Sequence, residues 1–188
     1  MGTWVHDGKK ATESETHSVV GLNDSYKLVL LLSSVIERSI QRSERTTFKA
    51  SKRKDVVTIF HGSRPPTLTI QQYLERIIKY ANCSPSCLVV AYVYIQKFLQ
   101  RTDASLTHLN VHRLLITSIM VAAKVIDNNE CHNNAYFAKI GGLSTEEMNK
   151  LEIKLLFSLD FRLHVTVEVF KKHCWQLQMG GVGEHNSR

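Results

Sequence analysis

No proline or glycine interrupts the chain from Ser86 to Ile140, and no proline follows Pro85. The two residues that disfavour a helix interior most are therefore missing from its middle, and long helices can run there unbroken. Cysteines are few: Cys83, Cys87, Cys131 and Cys174 make no CxxC pair and no disulfide framework, which points to a reducing compartment. The pairs Cys131-His132 and His173-Cys174 lack zinc-site spacing, so no metal site is expected. Long apolar runs are also wanting. Leu28 to Leu32 is far too short to span a bilayer, and Met1 to His6 has neither a signal-peptide core nor a myristoylation pattern. No serine, histidine and acid stand in a catalytic motif, and Gly141-Gly142 lacks the Lys-Ser/Thr that a phosphate loop requires. A soluble intracellular protein is expected, neither an enzyme nor a cofactor carrier.

What is present is charge in one place and helix signals in another. The 188 residues carry a formal net charge of +7, but residues 69–161 hold nine Lys/Arg against eight Asp/Glu. Basicity belongs to the flanks, above all to the stretch 38–54. A module that gripped nucleic acid with its helices would itself be basic, because phosphate neutralisation supplies most of the affinity. Direct nucleic-acid binding is not expected.

Along the chain, residues 1–20 read as a polar, disordered N-terminus. Residues 21–48 hold an N-terminal helix, spanning about Ser25–Glu44, with Leu28, Leu31, Leu32, Val35, Ile36 and Ile40 on one face. Residues 49–67 are a basic linker, with Lys49, Lys52, Arg53 and Lys54, followed by the apolar approach Val56–Phe60. Residues 68–161 carry five helices. The first, about Ile70–Asn82, starts at a capping box, Thr69 with Gln72, and the second, Pro85–Arg101, at Ser84 with proline in the first turn. The third, Val111–Asp127, is capped by Asn110, and its small residues Ser118, Ala122 and Ala123 mark it as the centre of the bundle. A short fourth helix, Asn134–Ile140, ends at Gly141-Gly142. The fifth, Thr145–Leu159, opens on Ser144 with Glu147 and places Met148, Leu151, Leu155 and Leu159 on one face. A C-terminal helix within 162–178, after Thr166, presents Val169, Phe170, His173 and Leu177, and 179–188 reads as a frayed tail. The fold class is all-α, a single bundle of five core helices flanked by one helix at each end. With no active site in view, such a module works by binding another macromolecule.

The segments Tyr73–Ile77, Ala91–Ile95, Asn110–Thr117 and Asn133–Gly142 resemble a cyclin box, and more narrowly that of the plant P-type (U-type) cyclins, which are akin to the yeast phosphate-responsive cyclin. The resemblance covers roughly residues 20–177. It implies a regulatory subunit that binds and activates a cyclin-dependent serine/threonine kinase in cell-cycle or phosphate signalling, in the nucleus, the cytoplasm or both, with no obligate homo-oligomer. The family's kinase contacts carry over to Lys124 in the third helix and Glu152 in the fifth, with apolar contacts at Val125, Leu156 and Phe161. From the residues alone the plainer reading is the stronger one, with Lys124 a cation favourable to a helix C-terminus and Glu152 a solvated surface charge.

Two departures bear on partners. Many cell-cycle cyclins open the first box helix with Met-Arg-Ala-Ile-Leu, which docks substrates bearing Arg-x-Leu; the matching stretch is Pro66-Thr67-Leu68-Thr69-Ile70, so Arg-x-Leu docking is not expected. Mitotic-type destruction signals, Arg-x-x-Leu and Lys-Glu-Asn, are missing. The alternative role is a transcription-associated cyclin-fold protein whose basic run Lys49, Lys52, Arg53, Lys54 contacts nucleic acid. That same run also reads as a nuclear-import signal or a solvated linker.

Overall fold

The computed structural model describes residues 25–49, 56–127 and 133–181. Within them are seven helices and no strand: α1 (Ser25–Lys49), α2 (Ile70–Ala81), α3 (Pro85–Thr102), α4 (Val111–Ile126), α5 (Asn134–Gly141), α6 (Thr145–Ser158) and α7 (Val167–Gly181). The fold is all-α, as the periodicity implies. Lys52, Arg53 and Lys54 lie outside the described residues, as does the side chain of Lys49.

α4 is the centre. Apart from Arg113, every residue from Val111 to Ala123 is buried, and α3, α6, α5 and α2 all pack on it. Its small residues Ser118, Ala122 and Ala123 let those neighbours approach from several sides. α3 packs most extensively against it, and is itself buried almost all round from Ser86 to Ile95. α1 lays Leu28, Val29, Leu32, Ile36 and Ile40 into the core and packs on α2, α3 and α7, while Leu31 is only half-buried. It runs five residues past Glu44, because Arg45 to Lys49 contains no breaker. α7 extends through Met179 to Gly181, past the expected start of the tail. A Cβ at Gly180 would sit 3.0 Å from Val35 Cγ2, so glycine there lets the end of α7 lie close on α1. On α7, Cys174 is buried with Phe170 and Leu177, whereas Val169 and His173 are half-buried.

The capping box at Thr69 forms in full, and the one expected at Ser144 forms by half, because the Glu147 carboxylate pairs with Arg113 Nε at 2.7 Å rather than with the Ser144 N–H. The Thr69 hydroxyl accepts from Gln72 N at 3.1 Å while Gln72 Oε1 accepts from Thr69 N at 3.1 Å, and Ser144 Oγ accepts from Glu147 N at 3.0 Å. Two others do different work. Asn110 occupies the N-cap position of α4, but its amide accepts from Thr107 N and donates to Ser105 O, and lies 3.3 Å from His61 Nε2. It braces the loop before α4 against the approach segment. In that segment only Phe60 is buried, edge-on to Phe98 at 5.0 Å. Ser84 likewise makes no side-chain cap. Its N–H and hydroxyl both donate to the carboxylate of Asp127, at 2.8 and 2.7 Å, so a residue at the end of α4 caps the start of α3.

That bridge joins two elements 43 residues apart and sets a carboxylate at a helix N-terminus, where the dipole favours it. Removing it strands three donors that are partly shielded from water: the Ser84 N–H, the Ser84 hydroxyl and the Cys87 thiol, 3.2 Å from Oδ2. Asp127→Ala is expected to cost about 1–3 kcal/mol, lowering the melting temperature by about 2–4 °C per kcal/mol. A thermal melt that matches the unaltered chain would show that water replaces the carboxylate without loss.

Candidate partner-binding face

The C-terminal end of α4 and the outer side of α6 meet around one ion pair. Lys124 follows the buried small pair Ala122-Ala123 in the last turn of α4. Glu152 stands on α6 between the buried Leu151 and the exposed Ile153. Lys124 Nζ donates to Glu152 Oε1 at 2.6 Å, with the two side chains 32% and 17% exposed. Asn134, the first residue of α5, completes the arrangement. Its Oδ1 accepts from Lys124 Nζ, and its Nδ2 donates to Glu152 Oε2 at 2.7 Å and to Asn149 Oδ1 at 2.6 Å. Three helices thus hold two opposite charges in one fixed position, half open to solvent.

Apolar side chains frame the pair. Val125 is 46% exposed, Phe157 67% and Phe161 57%, with Ile153 beside them, while Leu156 is half-buried and packed against the core. Phe157 and Phe161 meet edge to face at 5.2 Å. The backbone holds them there: Asp160 and Phe161 take φ of 55° and 53°, in the left-handed region, closing α6 with bonds from Asp160 N to Phe157 O and from Phe161 N to Leu156 O. A non-glycine residue in that region is unfavourable by about 1–2 kcal/mol, so the surrounding packing must impose it. Several large apolar side chains exposed on one surface mark an interaction site, and here they accompany a polar pair.

The structure therefore brings Lys124 and Glu152 into direct contact and sets Val125, Leu156 and Phe161 around them. Asn134, Asn149, Ile153 and Phe157 share the face without having been singled out in sequence. Ile153 and Phe157 stand one and five residues after Glu152, outward positions on a helix whose inward row is Met148, Leu151 and Leu155, and that spacing was the available signal. Asn134 belongs to the box-like segment Asn133–Gly142, but its contacts with Lys124 and Glu152 come only from the tertiary fold. Elsewhere, Cys87 Sγ lies 3.2 Å from Asp127 Oδ2, and its hydrogen bond with the Cys83 side chain, together with burial, raises its pKa and keeps it protonated. Among the described residues no group of His, Cys, Asp and Glu is placed to hold a metal ion, and no helix is long and apolar enough to cross a membrane.

An all-helical bundle built on a buried central helix, with a half-open polar pair set among apolar side chains, defines a helical binding module. The chain belongs to the cyclin family: the family model described as Cyclin matches residues 26–163. It is 47% identical over 187 residues to Cyclin-P3-1 of Oryza sativa subsp. japonica, covering 95% of this chain and 78% of that protein. It is 52% identical over 153 residues to Cyclin-U4-1 of Arabidopsis thaliana (81% and 75%), and 45% identical over 155 residues to Cyclin-P4-1 of rice (81% and 73%). These relatives are plant P- and U-type cyclins, the type that the box motifs resemble. The family is regulatory rather than catalytic.

Proposed function

We propose that this chain binds and activates a cyclin-dependent protein kinase through the face centred on Lys124 and Glu152. The observation that carries the reading is the Lys124–Glu152 pair itself, fixed by Asn134, on a surface that also exposes Val125, Ile153, Phe157 and Phe161. A partner that covers this face desolvates both charges. It must then supply a backbone carbonyl to the ammonium and a backbone N–H to the carboxylate, while the two phenylalanines fill an apolar recess. The kinase's mobile C helix offers such groups when it is swung inward, the position that completes the kinase's own Lys–Glu pair. Binding that arrangement more tightly than the inactive one shifts the kinase population towards activity, and a bias of about 5.5 kcal/mol takes a kinase from 1% to 99% active. The proposal extends to a role in cell-cycle or phosphate signalling, in the nucleus or cytoplasm.

The reading is tested by purifying the tagged full chain from plant extract at low and high salt and assaying the eluate for kinase activity. A co-purifying serine/threonine kinase should survive the high-salt wash, because the contact is mostly apolar. Nucleic acid held by the basic run 49–54 would fall away steeply, since each released counterion weakens binding with rising salt. Recovery of nucleic acid and no kinase would replace this reading with the transcription-associated one.

A further inference from the structure

A second feature lies where the link from α2 to α3 meets the end of α4. Cys83 precedes α3 and Cys87 stands in its first turn, which is closed by the bond from Cys87 N to Ser84 O at 3.0 Å. Cys87 has no exposed surface, whereas Cys83 is only partly buried. The two thiols are close enough to share a hydrogen bond, and both are free.

Their surroundings make them unequal. The single proton of Cys87 faces two acceptors, Asp127 Oδ2 at 3.2 Å and the Cys83 sulfur, and Ser84 Oγ lies 3.5 Å from the same thiol. The hydrogen bond from Cys87 holds the Cys83 pKa below its ordinary value, despite partial burial and the negative charge of Asp127. A position at the N-terminus of a helix favours the same anionic form. Cys83 is thus the readier nucleophile and the more accessible one, with a protonated thiol held beside it. Cys174 offers the contrast. It is buried on α7, and burial pushes its pKa up to about 12.

We propose that Cys83 and Cys87 form a peroxide-reactive dithiol site that closes to an intramolecular disulfide. The Cys83 thiolate attacks one oxygen of hydrogen peroxide. An S–O bond forms, the O–O bond breaks, and the hydroxide that leaves combines with the proton Cys83 had released. Cys87 then attacks the sulfur of the resulting sulfenic acid and gives its proton to Asp127. The S–S bond forms, the S–O bond breaks, and the departing hydroxide takes that proton as water. In all, the two thiols lose two electrons and two protons, and the peroxide is reduced to two molecules of water. A disulfide of this kind suits a reducing compartment, where those that form are transient and redox-sensing. Closure withdraws the Cys87 thiol from Asp127 and leaves the carboxylate to the Ser84 N–H and hydroxyl. Lys124 stands three residues before Asp127, so the site borders the partner-binding face, but its chemistry does not depend on the function proposed above.

The test is brief exposure of the reduced full chain to dilute hydrogen peroxide, followed by alkylation in denaturant and tryptic mapping. Trypsin cuts after Lys79 and Lys97, so both thiols fall in one peptide, and the closed pair appears as that peptide unalkylated and lighter by two hydrogens. This form should dominate the oxidised products, revert with dithiothreitol, and arise several times faster in the folded chain than in urea, because the fold supplies the thiolate. Cys87→Ser, which keeps a donor for Asp127, should instead leave Cys83 as a sulfenic acid that dimedone traps. Cys83→Ser should leave Cys87 reduced. Oxidation falling first on Cys174, a disulfide through Cys131, a Cys83 sulfenic acid that never closes, or equal rates in the folded and urea-unfolded chain would each overturn the proposal. All four are read on the unaltered chain, so the result stands whatever the variants do to folding.

Discussion

Glu152→Ala and Lys124→Ala are each expected to lower kinase affinity by roughly thirty- to several-thousand-fold, or about 2–5 kcal/mol, and to abolish activation. In the free chain the two groups satisfy each other and Asn134. Since both are partly exposed, the ion pair contributes little to folding, about 0–1 kcal/mol, and the melting temperature and circular dichroism should hardly move. Under a bound kinase the situation changes. The pair is cut off from water, and truncating one member leaves the other charge, and the kinase backbone group facing it, without a partner. The contrast between a large loss of binding and a small loss of stability is what the assignment demands. Kinase binding by the double variant within a few-fold of normal would sink the residue assignment and leave the fold untouched. Loss of binding together with loss of the fold would make the pair structural.

Leu32→Asp should be severely damaging to stability. Leu32 has no exposed surface and stands midway along the buried stripe of α1, against α2, α3 and α7. Replacement forfeits about 1.5–3 kcal/mol of apolar burial and adds the cost of a carboxylate in an apolar site, which must remain protonated or tear the helix away. A total above about 4 kcal/mol is a large part of the 5–15 kcal/mol by which domains are stable. Leu30→Asp, on the exposed side of the same helix, supplies the control and should cost about 1 kcal/mol or less. Equal urea midpoints for the two variants would mean that α1 is not held on the bundle in solution. The family match begins at residue 26, inside α1, which agrees with a helix that is part of the domain rather than an appendage.

Local signals were legible wherever the cause was local. Thr69 with Gln72 and Ser144 with Glu147 begin helices because the partners lie within one turn, and the small residues of α4 announce a helix with neighbours on every side. Ser84 and Asn110 have the right chemistry for caps and stand at the right positions, yet each is claimed by something distant in sequence: Asp127 in one case, His61 and Ser105 in the other. No periodicity reports that. The same limit applies to the face around Lys124. The resemblance singles out Lys124 and Glu152 on separate helices, but Asn134, the residue that ties them, contacts them only through the tertiary fold. The left-handed turn at Asp160 and Phe161 was invisible for a different reason. Residues that favour such backbone are glycine and asparagine, and a phenylalanine there reflects packing that overrides local preference. Helix ends were read short in α1 and α7, where nothing in the sequence stops the helix and a neighbouring helix stabilises the extra turn.

The internal neutralisation of Lys124 by Glu152 bears on how fast a partner can be captured. A lone ammonium or carboxylate at the middle of an interface would draw its partner in through a long-range field and raise the encounter rate by orders of magnitude. Two opposite charges 2.6 Å apart cancel at any distance beyond a few ångströms. Capture then gains nothing from this pair itself, and without steering from the rest of the chain it falls in the ordinary range of about 10⁵–10⁶ M⁻¹s⁻¹. Differences in affinity between rival kinases would accordingly appear as differences in how long each stays attached, so a chain of this design discriminates by lifetime and not by speed of arrival.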